Sequence, residues 1–478
     1  MEDSTDARTD LQRRLFALLQ EFFVRATGKE ARAFARVEAF SEVVRKNAHK
    51  IASRCEQALP WAERELRQFY GREGTNAFRL ARQQGGLKLV LGGSGRFLAG
   101  QLASVSRSLL YADTVLVPDP VMPWLEKPRP EERFRHVLFL KAVNVLLHLK
   151  PLVDADLPYP PVLVFPSWEK TLEDKDRQTQ EAIRQLTADV FARYVDHGLA
   201  SLEDVMQFAQ GNPDGFLSAV DRHRLFIAPG GPLDEPLGAA LHRYEADMET
   251  WRSSEWLAEY RSLPPQVRIL NGVLERLTPQ YHLLENAEEL ASHPLLSLEQ
   301  HAHYYRLVSG TNSARLEGLG VLRAETRALV DALGSQRLKW LSAVDTDTLL
   351  ELRRRNENAA FRKRLQSAVT RLHESQWDDV DRVATEICHE LSDAIAEHDR
   401  DLKRVSTRYK RVHGQTVTMG VAAAGAALIP SLAPFVGVAA PLALATKYVW
   451  DKIGESAEKR AATKSLLGVL AVARAGRM

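Results

Sequence analysis

Cysteine is scarce in this 478-residue sequence: there are two, Cys55 and Cys388, far apart and in no motif. That excludes a disulfide framework and fits a reducing cytosol. A dominant charge is missing as well. Lys and Arg number 64 and Asp and Glu 62, a formal net charge of +2, without the basic excess of a general nucleic-acid binder. The opening residues, "MEDSTDARTD", lack the basic start and apolar run of a secretory leader, so a cytoplasmic body is expected.

Complete catalytic motifs are also lacking. "LVLGGSGRFLAGQL" joins an apolar run to a glycine loop and a helix start that could hold a phosphate. A P-loop needs Lys-Ser/Thr after its last glycine, and here Arg96 and Phe97 follow Gly95. Gly93 and Gly95 supply the first two glycines of a dinucleotide fingerprint, but Leu98 stands at the third. A hydrolase elbow needs one residue on each side of its serine between the glycines, and Arg96 occupies the place of the second glycine. Gly92, Gly93, Ser94, Gly95 and Arg96 therefore form a weak nucleotide-loop candidate beside the plainer strand–turn–helix.

Other polar clusters favour structural readings. Asp113 and Asp119 sit at the two ends of one short apolar run, too far apart to act as a pair. His301 and His303, two apart, face different sides of a helix, and His293 brings no HExxH or Cys/His set. His389, Glu390, His398 and Asp399 fit a solvated helix face. No catalytic residue, metal or cofactor is assigned, and the expectation is a non-enzymatic protein.

What is present is organisation. At this length two to four domains are expected. Residues 1–84 read as helices, with Leu11, Leu15, Leu18, Leu19, Phe22 and Phe23 on one face and a helix stop at Pro60. Residues 85–236 alternate helices with short apolar runs bounded by Pro or Gly: "LKLVLGG", "DTVLVPDP", "PPVLVFPSW" and "RLFIAPGG". These predict short strands in a small α/β domain. Residues 237–412 read as helical throughout, a bundle or coiled-coil arm with dense charges between apolar positions. No fixed-length repeat is evident.

Residues 413–450 differ from the rest. From Gly414 to Thr446, 33 residues carry no charge. Two full crossings of a bilayer would need about 40 residues plus a turn. Pro430, Pro434 and Pro441 interrupt the run, so it predicts one helix from Thr416 to Ile429, a turn, and a second from Phe435 to Trp450. Limbs of that length match a shallow or re-entrant hairpin. Val421, Ala424, Leu428, Ile429, Phe435, Val436, Leu442, Leu444 and Trp450 are the candidate membrane contacts. Arg408, Lys410, Arg411, Lys447 and Lys452 flank them as candidate lipid-headgroup contacts, with Tyr409, Tyr448 and Trp450 at the rims. Such an Ala-rich hairpin can equally be buried in a helical body. The tail, residues 451–478, is basic and amphipathic, suited to a membrane interface or to packing on its own protein.

The expected fold is thus mainly α, with helical bundles, a small α/β insert and a C-terminal apolar hairpin. This layout resembles bacterial membrane-acting effectors of anti-phage defence systems such as the jumbo phage killer type. The resemblance implies a partner sensor protein and action at a bilayer, without chemistry. The body would dock onto that partner or assemble with itself, and the hairpin would meet membrane lipid on activation; nucleic acid is not expected as a partner. The alternatives are a cytosolic scaffold with the hairpin buried, or an enzyme using the glycine loop.

Overall fold

The computed structural model describes residues 2–397 apart from 35–36, 93–101, 103–104, 107, 110–111, 127–131, 166–172, 250–251, 253, 297–298, 319–322, 327, 330–336, 342–345, 357–358, 375–380, 391 and 395, together with 419–423. The described residues are mainly helical around a small parallel sheet. Three of the predicted strands form: β1 (Lys88–Leu91), β2 (Thr114–Pro118) and β3 (Val162–Phe165). They are rich in Val and Leu and almost wholly buried, as strands covered on both faces must be.

A fourth strand comes from outside the predicted α/β segment. β4 (His293–Leu295) lies in the stretch read as continuous helix, and it pairs parallel with β1. Three residues are too few to show a strand period, which is why the sequence hid it. Pro294 is tolerated because β4 is an edge strand. The fourth predicted run behaves in the opposite way. Leu225–Ala228 is buried but is no strand, and the Ile227 N–H donates to the Tyr304 hydroxyl at 2.8 Å. An apolar run bounded by Pro and Gly serves a buried irregular segment as well as a strand.

The sheet order is β3-β2-β1-β4, all parallel. Leu89, Leu91, Val115, Val117, Val162 and Val164 point to one core; Val90, Leu116, Leu163 and Phe165 point to the other. The first core is closed by α1 (Glu2–Thr27), α2 (Val37–Lys46), α3 (Ala48–Gln83) and residues of both early crossovers, including Val105, Leu109, Phe139 and Val143. The second is closed by the helices between β3 and β4 and by the helix Glu299–Gly318. The N-terminal helices are therefore one layer of the α/β unit, sharing its core.

Two further expectations change. α3 runs through Pro60 without a stop. Ala58, Leu59, Ala62 and Leu66 on either side of Pro60 all pack into the first core, and that burial holds the helix together across the missing N–H. The charged stretch after residue 345, read as a bundle or a coiled-coil arm, contains short helices that pack on the sheet. Thr346–Arg354 and Ala359–Glu374 send Leu349, Leu352, Phe361 and Ala368 into the same core, joined by Val383, Ala384 and Ile387. Within the predicted apolar hairpin, Met419–Ala423 are extended as β6, antiparallel to β5 (Arg337–Leu341), where a helix from Thr416 was expected. The rest of the hairpin and the tail lie outside the described residues.

The free side of β3 is sealed by a side chain. Gln12 on α1 donates from Nε2 to the Val164 carbonyl and accepts the Val164 N–H at Oε1, both at 2.9 Å. The amide occupies the place of a neighbouring strand, and Gln12 is buried. Gln12→Leu would leave both backbone groups buried and unpaired, a cost of about 2–4 kcal/mol. Urea unfolding is expected to show that loss with an unchanged denaturant slope; an unchanged midpoint would mean that water or another group seals β3.

Candidate functional site at the carboxyl edge of the sheet

In open parallel sheets ligands bind beyond the carboxyl ends of the strands, at the point where strand order reverses. Here that point lies between β1 and β4, since the chain winds outward from β1 through β2 to β3 and then returns to the far side of β1. The glycine loop leaves β1 at this position. Gly92, its first member, is buried. A Cβ there would meet Leu283 Cδ2 at 2.5 Å, so Gly92 lets the helix Pro265–Glu289 close over the strand end. Gly93, Ser94, Gly95 and Arg96 lie outside the described residues.

Asp119 follows the last residue of β2, at the same edge. It is 2% exposed. Its Oδ1 accepts the N–H groups of Val121 at 2.7 Å and Met122 at 3.4 Å, and Oδ2 accepts the Tyr70 hydroxyl. Its own N–H donates to the Phe165 carbonyl at 2.8 Å, tying the end of β2 to that of β3. Burial raises the Asp119 pKa, and the Tyr70 and backbone donors oppose the rise. Burial, then the neighbouring carboxylate, pushes the Tyr70 phenol well above its ordinary range. In dinucleotide-binding sheets an acidic residue at this place holds a ribose; here both oxygens already have protein donors.

The third wall is the helix after β4. His301 stands in its first turn, buried, and its Nδ1 has no hydrogen-bond partner among the described residues. Burial, helped by Arg276, lowers its pKa to about 4. His303, two residues on, instead faces the Arg224 carbonyl at 2.8 Å from Nε2. His293 lies in β4 itself. Among the described residues no three His, Cys, Asp or Glu side chains are grouped to hold a metal. Burial pushes Cys55 up to about 12 and Cys388 up to about 11, which leaves both thiols poor nucleophiles.

Asp113, at the amino end of β2, joins a different set of residues. Its Oδ2 accepts the Leu87 N–H at 2.9 Å, and its Oδ1 faces Arg353 at 3.3 Å and Arg362 at 3.4 Å. The two arginines come from the charged helices near the end of the described chain. Nothing in the sequence linked them to Asp113 across some 240 residues; only the density of cations in "ELRRRNENAAFRKR" marked the segment.

Of the candidate membrane contacts, Val421 falls in β6. Ala424, Leu428, Ile429, Phe435, Val436, Leu442, Leu444 and Trp450 lie outside the described residues, as do Arg408, Lys410, Arg411, Lys447 and Lys452. No described helix is long and apolar enough to cross a membrane. Compared with family models, curated proteins and solved structures, the chain matches none. The fold and this edge define an α/β/α protein with a doubly wound sheet.

His301 gives a pH signature. Its folded pKa lies below the unfolded value near 6.5, so the unfolded chain takes up the proton first. Stability is expected to fall as pH drops from about 6.5 towards 4, by about 3 kcal/mol at most. His301→Leu should flatten the fall of melting temperature over that window. An unchanged slope would show that His301 is hydrated or partnered in solution.

Proposed function

We propose that the protein is a non-enzymatic effector with a folded α/β body and a C-terminal apolar segment that acts on a membrane. One observation carries the reading: 33 uncharged residues between basic and aromatic flanks, in a chain that is otherwise rich in charge. Small residues and prolines shape such a segment for shallow insertion rather than two crossings. Basic flanks on both sides favour anionic headgroups, at about 1 kcal/mol per residue near the surface. The body supplies the surface for a sensor protein or a second copy. Anti-phage defence, with a cytoplasmic resting state and inducible membrane contact, is the setting that the layout resembles.

The test is vesicle flotation and dye release. The full chain is expected to float and to release dye, whereas a chain ending at Val412 and the full-length variant Leu442→Asp should do neither. Equal behaviour of all three would remove the reading.

A second reading is favoured by the strand order. The glycine loop emerges where the sheet reverses, and Asp119 ends the neighbouring strand. That topology supports a nucleotide at the carboxyl edge, despite the incomplete fingerprint. Thermal stabilisation by a mononucleotide or dinucleotide, abolished by Gly95→Glu, is expected on this reading; a flat nucleotide screen would exclude it.

A further inference from the structure

At the amino edge of the sheet, opposite the glycine loop, Asp113, Tyr159, Arg353, Arg362, Lys363 and Gln366 line a pocket of about 210 Å³. We propose that this pocket is a binding site for a small phosphate-bearing anion. The lining named here holds three cations and one carboxylate. Both guanidiniums reach the same oxygen, Asp113 Oδ1, while Oδ2 is taken by the Leu87 N–H.

Arg353 is anchored from behind. It is 7% exposed, and its Nη1 donates to the carbonyls of Leu109 and Ala112, which close the β1–β2 crossover. Arg362 is equally buried. Two buried guanidiniums around one carboxylate disfavour each other. Burial and then Arg362 bring Arg353 down to about 10, with Asp113 pulling the other way. Among the described lining residues positive charge exceeds negative, and a bound anion offsets such an excess. Lys363 and Gln366 stand one and four residues after Arg362, on the exposed side of the same helix. Both are exposed and bring donors to the mouth. Arginine forks beside a lysine suit phosphate oxygens. The volume falls below the range of about 300–1,000 Å³ usual for drug-sized ligands, which points to a compact anion.

The site is also a joint. Asp113 belongs to the sheet, and the arginines belong to the helices that precede the charge-free segment, so an anion would clamp one to the other. The proposal is independent of membrane action, because phosphate binding should survive Leu442→Asp.

The experiment is calorimetric titration of the full chain with inorganic pyrophosphate. Binding in parallel to phosphatidylcholine vesicles, with and without phosphatidic acid, separates a free phosphate from a lipid headgroup. Lys363→Glu changes an exposed residue and should fold; Arg362→Gln is the second variant, and circular dichroism checks both. Pyrophosphate binding weakened about tenfold or more in each folded variant is the expected result. Binding confined to phosphatidic acid vesicles, and lost in Lys363→Glu, would assign the same chemistry to a headgroup. Absence of both kinds of binding, or wild-type affinity in folded Lys363→Glu, would overturn the proposal.

Discussion

A parallel sheet that is apolar on both faces has no side to give to water. Leu89, Leu91, Val115, Val117, Val162 and Val164 line one face, and Val90, Leu116, Leu163 and Phe165 the other, so helices must cover both. The N-terminal helices, the two early crossovers and the charged helices after residue 345 close one face. The helices between β3 and β4 close the other. Segments separated by hundreds of residues are held together by this requirement. Even the free side of β3 is occupied, by the Gln12 amide.

The two ends of the covered sheet differ in character. At the carboxyl edge, Asp119, Tyr70 and the backbone of Val121 satisfy one another, and His301 stays neutral in a buried position. That end is shaped by strand topology and by the close approach that Gly92 permits. At the amino edge, cations from late in the chain gather on Asp113 beside a cavity. The first is where sheets of this class hold a ligand; the second is where this chain concentrates charge.

Three strands and the amphipathic helix α1 were legible in the sequence, because β-branched runs between Pro and Gly and a 3.6-residue apolar period are direct signals. β4 was not, since "HPL" is too short to show a period and only β1 makes it a strand. Nor was the path of α3 through Pro60, which depends on the core that flanks it. The run at Leu225–Ala228 had the composition of a strand but found helices, not strands, as neighbours. The glycine loop was visible, and its place at the reversal of strand order could not be known before β4 was paired. The grouping of Asp113 with Arg353 and Arg362 is set by tertiary contact and leaves no local pattern.

The functional reading turns on whether the charge-free segment leaves water. The native thiols interfere little with labelling, because Cys55 and Cys388 are buried and raised in pKa. An environment-sensitive fluorophore on Leu432→Cys of the full chain then reports that position directly. Addition of anionic vesicles should shift its emission to the blue and shield it from an aqueous quencher. Emission and quenching unchanged by vesicles, with the protein folded, would contradict membrane action.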